Sequence, residues 1–491
     1  MADLSPAKRR LVTQMLRRRA AGLRAPVAGL REPDELAPLS FPQEQLWLKE
    51  QRNPGSPAHS ASFAIRMRRS FDRAALTAAV QGMVAAHEVL RTRFPATAGS
   101  PAQVVEAGCD TPIDVVDLRD ADPHERLRTA AALMTSARQE PFDLASLPLT
   151  RVQALLLGDD DHVVHWLTHH LVTDAWSIGL TINELTARYE AARAGRPADL
   201  ADPPLQYADY AVWQRLRFAS DYRARLLDGW ADALRNAPAG ENIRWRRDDI
   251  RTPDGFALGQ LPVLLPAETG RALAAIGADA GATLYMALLA GFAAVLTRLA
   301  ELPDLLILAP VSGRLSAQLE RLIGFFVDRV VVRLDTSGDP PFTDLVERAR
   351  RATVAALAHQ EAPLEAVLDD LAARRGAEAP RVQVMCSVQN ATQAGVQAAP
   401  GGDSRWAPVP AELAGDPEPI LPLYGPLGAP LDLSIVLVPG RGGHLAGALE
   451  FDARTLDEAA AEDVREQFVG TLAAAARTPQ QPISRLVPGS R

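Results

Sequence analysis

THHLVTDAWS, residues 168–177, holds two adjacent histidines and an aspartate four residues after the second. What the stretch does depends on what flanks it. On its N-terminal side, RVQALLLGDDDHVVHWLTHH (151–170) has two apolar runs around Gly158-Asp159-Asp160-Asp161. That is the turn chemistry of a β-hairpin, and its second strand runs into the histidines. On the C-terminal side, WSIGLTINELTARYEAARAG (176–195) reads as a helix ending at a glycine. His169, His170 and Asp174 are therefore expected on a strand-to-helix connection, where mixed α/β folds carry reactive groups.

The same alternation of patterns extends outward. HSASFAIRMR (59–68) alternates as a half-buried strand does. A helical pattern fills 71–94, two short strands are expected within 102–118, and a helix is expected from Pro123, with proline at an early helical position. Residues 236–258 are polar and rich in Pro and Gly, as a linker is. Beyond them helices are expected over 267–299 and 341–374, strands at 305–312, 327–334 and 382–390, a hairpin over 431–452 and a last helix near Thr455. The resulting division is an N-terminal helix and linker (1–36), a first α/β lobe carrying the histidines (37–235), a linker (236–258) and a second α/β lobe (259–485).

Composition narrows the class. The 491 residues are 47% hydrophobic and 23% charged, which suits a soluble globular protein of two or more compact units. No apolar run reaches the ~18 residues of a membrane span. A net charge of −8 gives nucleic acid no reason to bind. The Arg-rich start, MADLSPAKRRLVTQMLRRRAAGLR, lacks the apolar core of a secretory signal and reads as an amphipathic helix through Leu11, Met15 and Leu16. Two cysteines, Cys109 and Cys386, form neither a CxxC site nor a disulfide framework, so a reducing cytoplasm is expected. Lysine occurs only at Lys8 and Lys49, the mark of a high-GC, bacterial coding sequence.

Chemically, an imidazole is the side chain that titrates nearest neutrality, and when neutral it accepts a proton from an attacking amine or hydroxyl. A carboxylate nearby fixes its tautomer or the shape of its loop. A metal site is the weaker reading, because adjacent residues on an extended segment point to opposite sides and zinc needs further ligands. No metal is expected. The bland alternative is a pair of histidines satisfying hydrogen bonds at a strand end. There is no GxSxG elbow, no Walker A loop and no GxGxxG. GGDS (401–404) resembles the pantetheine-attachment motif of carrier domains, but no helical pattern follows it and it reads as a loop. A possible base without a nucleophile or nucleotide loop fits transfer between two bound substrates.

Several motifs together resemble one family. THHLVTDAWS is similar to the HHxxxDG motif of nonribosomal peptide synthetase condensation domains and related acyltransferases. LSFPQEQLW (39–47), AHEVLRTRF (86–94), YADYAVWQ (207–214), PVSGR (310–314), IGFFVDRVVVR (323–333), HQEAPLE (359–365) and VQVMCSVQN (382–390) resemble further motifs of that family, in family order. The resemblance implies an α/β fold of two chloramphenicol acetyltransferase-like lobes, arranged as a V around a tunnel. It implies a monomer with no bound cofactor, served by carrier proteins whose phosphopantetheine arms deliver the substrates. It implies that His170 takes the nucleophile's proton or positions the nucleophile, that His169 and Asp174 are mainly structural, and that Arg314 pairs with Asp174. Ala175, Ser177, Asp328, Ser387 and Gln389 would lie along the tunnel, while Trp176 would pack at the helix start.

Two departures stand out. Ala175 replaces the family's glycine, and Asp328-Arg329 replaces its usual Asn-Thr. The function implied is condensation of a carrier-bound acyl thioester with an amine to give an amide. An ester-forming transferase with a hydroxyl acceptor and a non-catalytic carrier-docking platform are the alternatives.

Overall fold

The computed structural model describes residues 13–17, 22, 25–31, 35–52, 54–56, 59–97, 99–238, 240–241, 243, 245, 258–389, 406–408, 431–440 and 443–488. The GGDS stretch, Leu11 and most of 391–429 lie outside them. Of the N-terminal helix, residues 13–17 are described, and they are helical. Among the described residues no single helix is long and apolar enough to cross a membrane.

The chain forms two compact units. The first gathers Met1–Arg223, Arg314–Val327 and Ala391–Gly428, and the second gathers Ala224–Gly313, Asp328–Asn390 and Ala429–Arg491. The chain thus leaves the first unit ahead of the polar 236–258 stretch and returns to it for fourteen residues of the C-terminal half. Side chains early in the second unit explain the early departure. Trp230 Nε1 donates to the His359 carbonyl at 3.0 Å and Arg374 pairs with Asp228, so this segment is tied to later parts of its own unit.

In the first unit, α1 (Phe41–Arg52) precedes β1 (Ser60–Met67), α2 (Arg73–Ala86), β2 (Ile113–Asp117) and α3 (Pro123–Gln139). The hairpin β3 (Thr150–Gly158) and β4 (Asp161–His169) follows, then α4 (Ala175–Arg193) and α5 (Tyr207–Phe218). One sheet has the order Trp406–Pro408, β1, β4, β3, β2, antiparallel except for β2 with β3. The hairpin closes where the sequence places its turn, with Gly158 opposite Asp161. Strand β4 is central and buried from His162 to His169, which is why it reads as a nearly continuous apolar run. Helices α2 and α4 are each capped by an aspartate, Asp72 and Asp174, which accept the backbone N–H three residues on. They share one core with the sheet through Val80, Met83, Trp166, Leu185 and Tyr189.

The second unit holds β5 (Leu258–Leu265), α6 (Ala267–Asp279), α7 (Leu284–Ala300), β6 (Asp304–Val311), β7 (Asp328–Asp335), α8 (Phe342–Leu357), α9 (Leu364–Arg375), β8 (Val384–Val388), β9 (Leu433–Pro439), β10 (Leu445–Asp452) and α10 (Glu458–Arg477). Its sheet has the order β5-β10-β9-β8-β6-β7. The β8–β9 and β6–β8 pairs are parallel and the others antiparallel. Helix α7 is buried from Met286 to Leu296 because its sequence is apolar all round, and Phe292 packs edge-on against Phe468 of α10. Both units are mixed α/β, the class expected from the sequence.

Candidate functional site

The backbone changes direction abruptly at the end of β4. His169 is still extended (φ −73°, ψ 140°), His170–Val172 make one 3₁₀ turn, Thr173 is extended again, and Asp174 caps α4. The Thr173 N–H closes the turn on the His170 carbonyl at 3.2 Å. His169 Nδ1 accepts the Leu171 N–H at 3.1 Å. His170 Nδ1 lies 3.3 Å from the Thr173 carbonyl oxygen. A carbonyl can only accept, so Nδ1 carries the proton and the lone pair of a neutral His170 is on Nε2. Burial pushes the ring down to about 4, against the opposing pull of the Thr173 carbonyl, so His170 is neutral at pH 7.

Asp174 does more than cap a helix. It accepts from Ser177 N at 2.7 Å, from Arg314 Nη2 at 3.0 and 3.2 Å, and from Phe326 N at 3.1 Å. The Arg314–Asp174 pair is fully buried, with 1% of each side chain exposed. Arg314 also donates to the carbonyls of Leu319 and Leu322 and to Ser177 Oγ, and Ser177 Oγ bonds both the N–H and the carbonyl of Gly324. The Ser177 hydroxyl is therefore part of the clamp that holds Arg314–Val327 against the start of α4. Trp176 Nε1 donates to the Glu320 carbonyl at 2.8 Å and packs on the same segment. Ala175 is the first helical residue after the cap, and its φ is not positive, so nothing in the backbone there calls for glycine.

Gly324 is required for a different reason. A Cβ there would lie 2.0 Å from the Tyr207 ring. That ring is 1% exposed, and its hydroxyl is held by Ser40 and the Phe325 carbonyl, so it cannot withdraw. Gly324→Ala is expected to cost about 1–3 kcal/mol or more of stability, read as a fall in the thermal midpoint. An unchanged midpoint would show that the segment can shift freely.

Three residues that the sequence reading did not single out stand behind the turn. From α1, Gln43 Nε2 donates to the Leu171 carbonyl at 2.8 Å, and Glu50, one heptad further on the same helix face, places Oε2 3.6 Å from His169 Nε2. Glu50 also accepts from His59 Nδ1 and from Gly55 N. Burial opposes its ionisation, but the facing His169 edge and the hydrogen bonds from His59 and the Gly55 N–H win, and the carboxyl is held down at about 2. Among the described residues, Glu50, His59 and His169 bring ligand atoms within 4.8 Å of one another, close enough for a metal ion. The donor set does not fit one. His169 Nδ1 already accepts an N–H, so the neutral ring carries its proton on Nε2 and has no lone pair there for a metal.

The second unit carries the remaining expected residues. Asp328 opens β7, where its carboxylate accepts the Arg329 N–H at 2.8 Å, while Arg329 pairs with Glu365 at 2.8 Å. Ser387 is buried on β8, and the Gln389 N–H bonds the Leu437 carbonyl. Neither thiol is suited to act as a nucleophile, since burial raises Cys109 and pushes Cys386 up to about 12.

His170 is one of several neutral buried histidines. Burial also pushes His162 and His165, both on β4, down to about 4 from an ordinary 6.5. The unfolded chain therefore takes up protons first. The histidines' contribution to stability is fully present above pH ~6.5 and is lost as the pH falls from there toward ~4, by at most about 3 kcal/mol per histidine, while Glu450, pushed up by burial to about 7, works in the opposite direction. Glu50 stays ionised throughout that window. Thermal midpoints at pH 7.5 and 5.0 test this, and His165→Gln is expected to lessen the difference. A His165→Gln variant with the same pH dependence as the wild type would refute it.

With this geometry in place, comparison with known proteins is informative. Residues 34–489 match the family described as "Condensation domain". A linear gramicidin synthase chain of Brevibacillus parabrevis is 32% identical over 475 residues, 96% of this chain and 9% of the relative. Phosphinothricin tripeptide synthetase PhsB of Streptomyces viridochromogenes is 34% identical over 451 residues, 92% of this chain and 37% of the relative. The chain thus spans well under half the length of either relative. Among solved structures, the X-domain from teicoplanin biosynthesis is similar with a TM-score of 0.75 and 26% identity, covering 94% of this chain and 99% of that one. A complex of the X-domain with OxyB matches with a TM-score of 0.73 and 25% identity, covering 94% and 98%. The first condensation domain of the calcium-dependent antibiotic synthetase matches with a TM-score of 0.72 and 22% identity, covering 93% and 100%.

Proposed function

The chain belongs to the condensation-domain family, and from that membership we propose that it joins a carrier-bound acyl or aminoacyl thioester to an amine, forming an amide in nonribosomal peptide biosynthesis. The donor arrives on the phosphopantetheine arm of a carrier protein. The amine nitrogen attacks the thioester carbonyl, the new C–N bond forms, and the tetrahedral intermediate collapses with loss of the C–S bond. The proton lost by nitrogen leaves with the thiol.

The observation that carries this reading is the state of His170. The ring is neutral, its Nδ1 proton is committed to the Thr173 carbonyl, and its Nε2 is the basic atom. An imidazole whose conjugate acid ionises near 4 is too weak to deprotonate an ammonium ion before attack. It suits an already neutral amine, whose proton becomes strongly acidic only once nitrogen has bonded to carbon. His170 is thus assigned the late proton transfer and the orientation of the nucleophile. Asp174 and Arg314 hold the turn and take no proton.

The test is incubation of the purified chain with acyl- or aminoacyl-loaded carrier protein and a panel of amines and alcohols, with loss of the acyl group and product mass followed by mass spectrometry. Amide product supports the reading, and ester product alone replaces it with the hydroxyl-accepting alternative. One observation favours a second reading, a docking platform: a structural relative at 25% identity is an X-domain in complex with OxyB. Carrier binding without turnover of any donor would establish that reading instead.

A further inference from the structure

Glu50 sits behind the histidine pair, buried; it accepts from His59 Nδ1–H and the Gly55 N–H, and its Oε2 faces His169 Nε2 at 3.6 Å, close enough for an electrostatic pull but too long for a hydrogen bond. On the far side of His169, Nδ1 accepts the Leu171 N–H. A neutral imidazole has one proton. If Nδ1 accepts, the proton is on Nε2, and that is the edge turned toward the Glu50 carboxylate. On the other side of the Leu171 Cα, Gln43 donates to the Leu171 carbonyl. Leu171 is the centre of the 3₁₀ turn that begins at His170. One face of α1 therefore controls the two peptide groups that flank the Leu171 Cα, Gln43 directly through the carbonyl and Glu50 through the ring of His169 and the amide.

We propose that Glu50 is a positioning residue for His170: its carboxylate selects the Nε2–H tautomer of His169, and the lone pair this leaves on Nδ1 fixes the Leu171 amide and the turn that aims the His170 ring. The alternative tautomer, with the proton on Nδ1, would set two N–H groups against each other at 3.1 Å and push the turn open. His59 and Gly55 keep the carboxylate from rotating away. The effect of Glu50 passes through His169. The kinetic part of this inference rests on the proposed condensation activity, while the tautomer part does not.

The experiment is nitrogen-15 NMR of the histidine rings in the full-length chain, with His169 assigned by its loss in His169→Gln. A single Nε2–H tautomer at His169 is expected in the wild type. Glu50→Gln removes the negative charge that faces His169 Nε2, and is expected to abolish that single tautomer and lower kcat roughly 10–100-fold with little change in KM, as a misaimed catalytic group does. Glu50→Asp keeps the charge and is expected to restore the tautomer and part of kcat. An Nδ1–H tautomer in the wild type overturns the proposal whether or not any turnover is found. So does a Glu50→Gln variant whose His169 signals are those of the wild type. If no donor and acceptor pair turns over, the proposed function fails and the ring spectra still decide the role of Glu50.

Discussion

Replacing His170 by alanine is expected to lower kcat for amide formation by roughly 10²–10⁴-fold, the span of a positioned acid–base group, while KM for the loaded carrier stays near that of the wild type. The split follows from where the ring acts. On the proposed mechanism, a proton taken from nitrogen after attack is an interaction of the transition state alone, so its loss falls on kcat. The ring is buried and packs 6.0 Å from Phe325, so alanine also leaves a cavity, and the comparison is made at a temperature where circular dichroism shows both proteins folded. A folded His170→Ala enzyme that turns over at the wild-type rate would remove the ring from the chemistry.

The second large effect concerns stability. Arg314 and Asp174 form a buried pair, and removing either partner alone leaves a charge in the interior. The cost is typically about 3–5 kcal/mol. For a unit of this size that corresponds to a fall in thermal midpoint of roughly 6–20 °C. The loss has a direct structural cause. Losing Arg314 takes from the carboxylate its cationic partner and leaves it the N–H groups of Ser177 and Phe326, while losing Asp174 takes from the guanidinium its carboxylate and leaves hydrogen bonds such as those to the Leu319 and Leu322 carbonyls and Ser177 Oγ. Asp174→Asn combined with Arg314→Met is expected to lose less than the two single losses added together, because the second change removes the charge that the first exposed. Single variants that each cost under about 1 kcal/mol, and add, would mean that water reaches the pair.

Much of this site was readable in the sequence because its parts are local. Gly158 to Asp161 marks a tight turn, the apolar run behind it a strand, and the stretch from Trp176 a helix. Each is a pattern a few residues wide, fixed by backbone geometry, and the ordered motifs raised the reading from a fold class to a family. The support behind the histidines had no such signature. Gln43 and Glu50 share a helix face by their spacing of seven, but nothing in α1 says that this face meets a peptide bond about 120 residues later. His59 sits beside a strand whose alternation explains its neighbours without it. The return of Arg314–Val327 to the first unit is equally silent locally, because it depends on Arg314 meeting an aspartate 140 residues earlier.

That return limits how the chain can be cut and recombined. A chimera joined within 236–258 looks natural by composition, yet it would take Asp174 and Ser177 from one parent and Arg314, Gly324 and Phe326 from the other. These five are neighbours in one buried network, so each parent's clamp would have to accept the other's backbone to within a few tenths of an ångström. Exchanges that carry 314–327 along with the first 223 residues keep the network within one ancestry. For swapping donor or acceptor preference between relatives, the workable unit of exchange is therefore a discontinuous one, with its breakpoints set by the clamp and not by the linker.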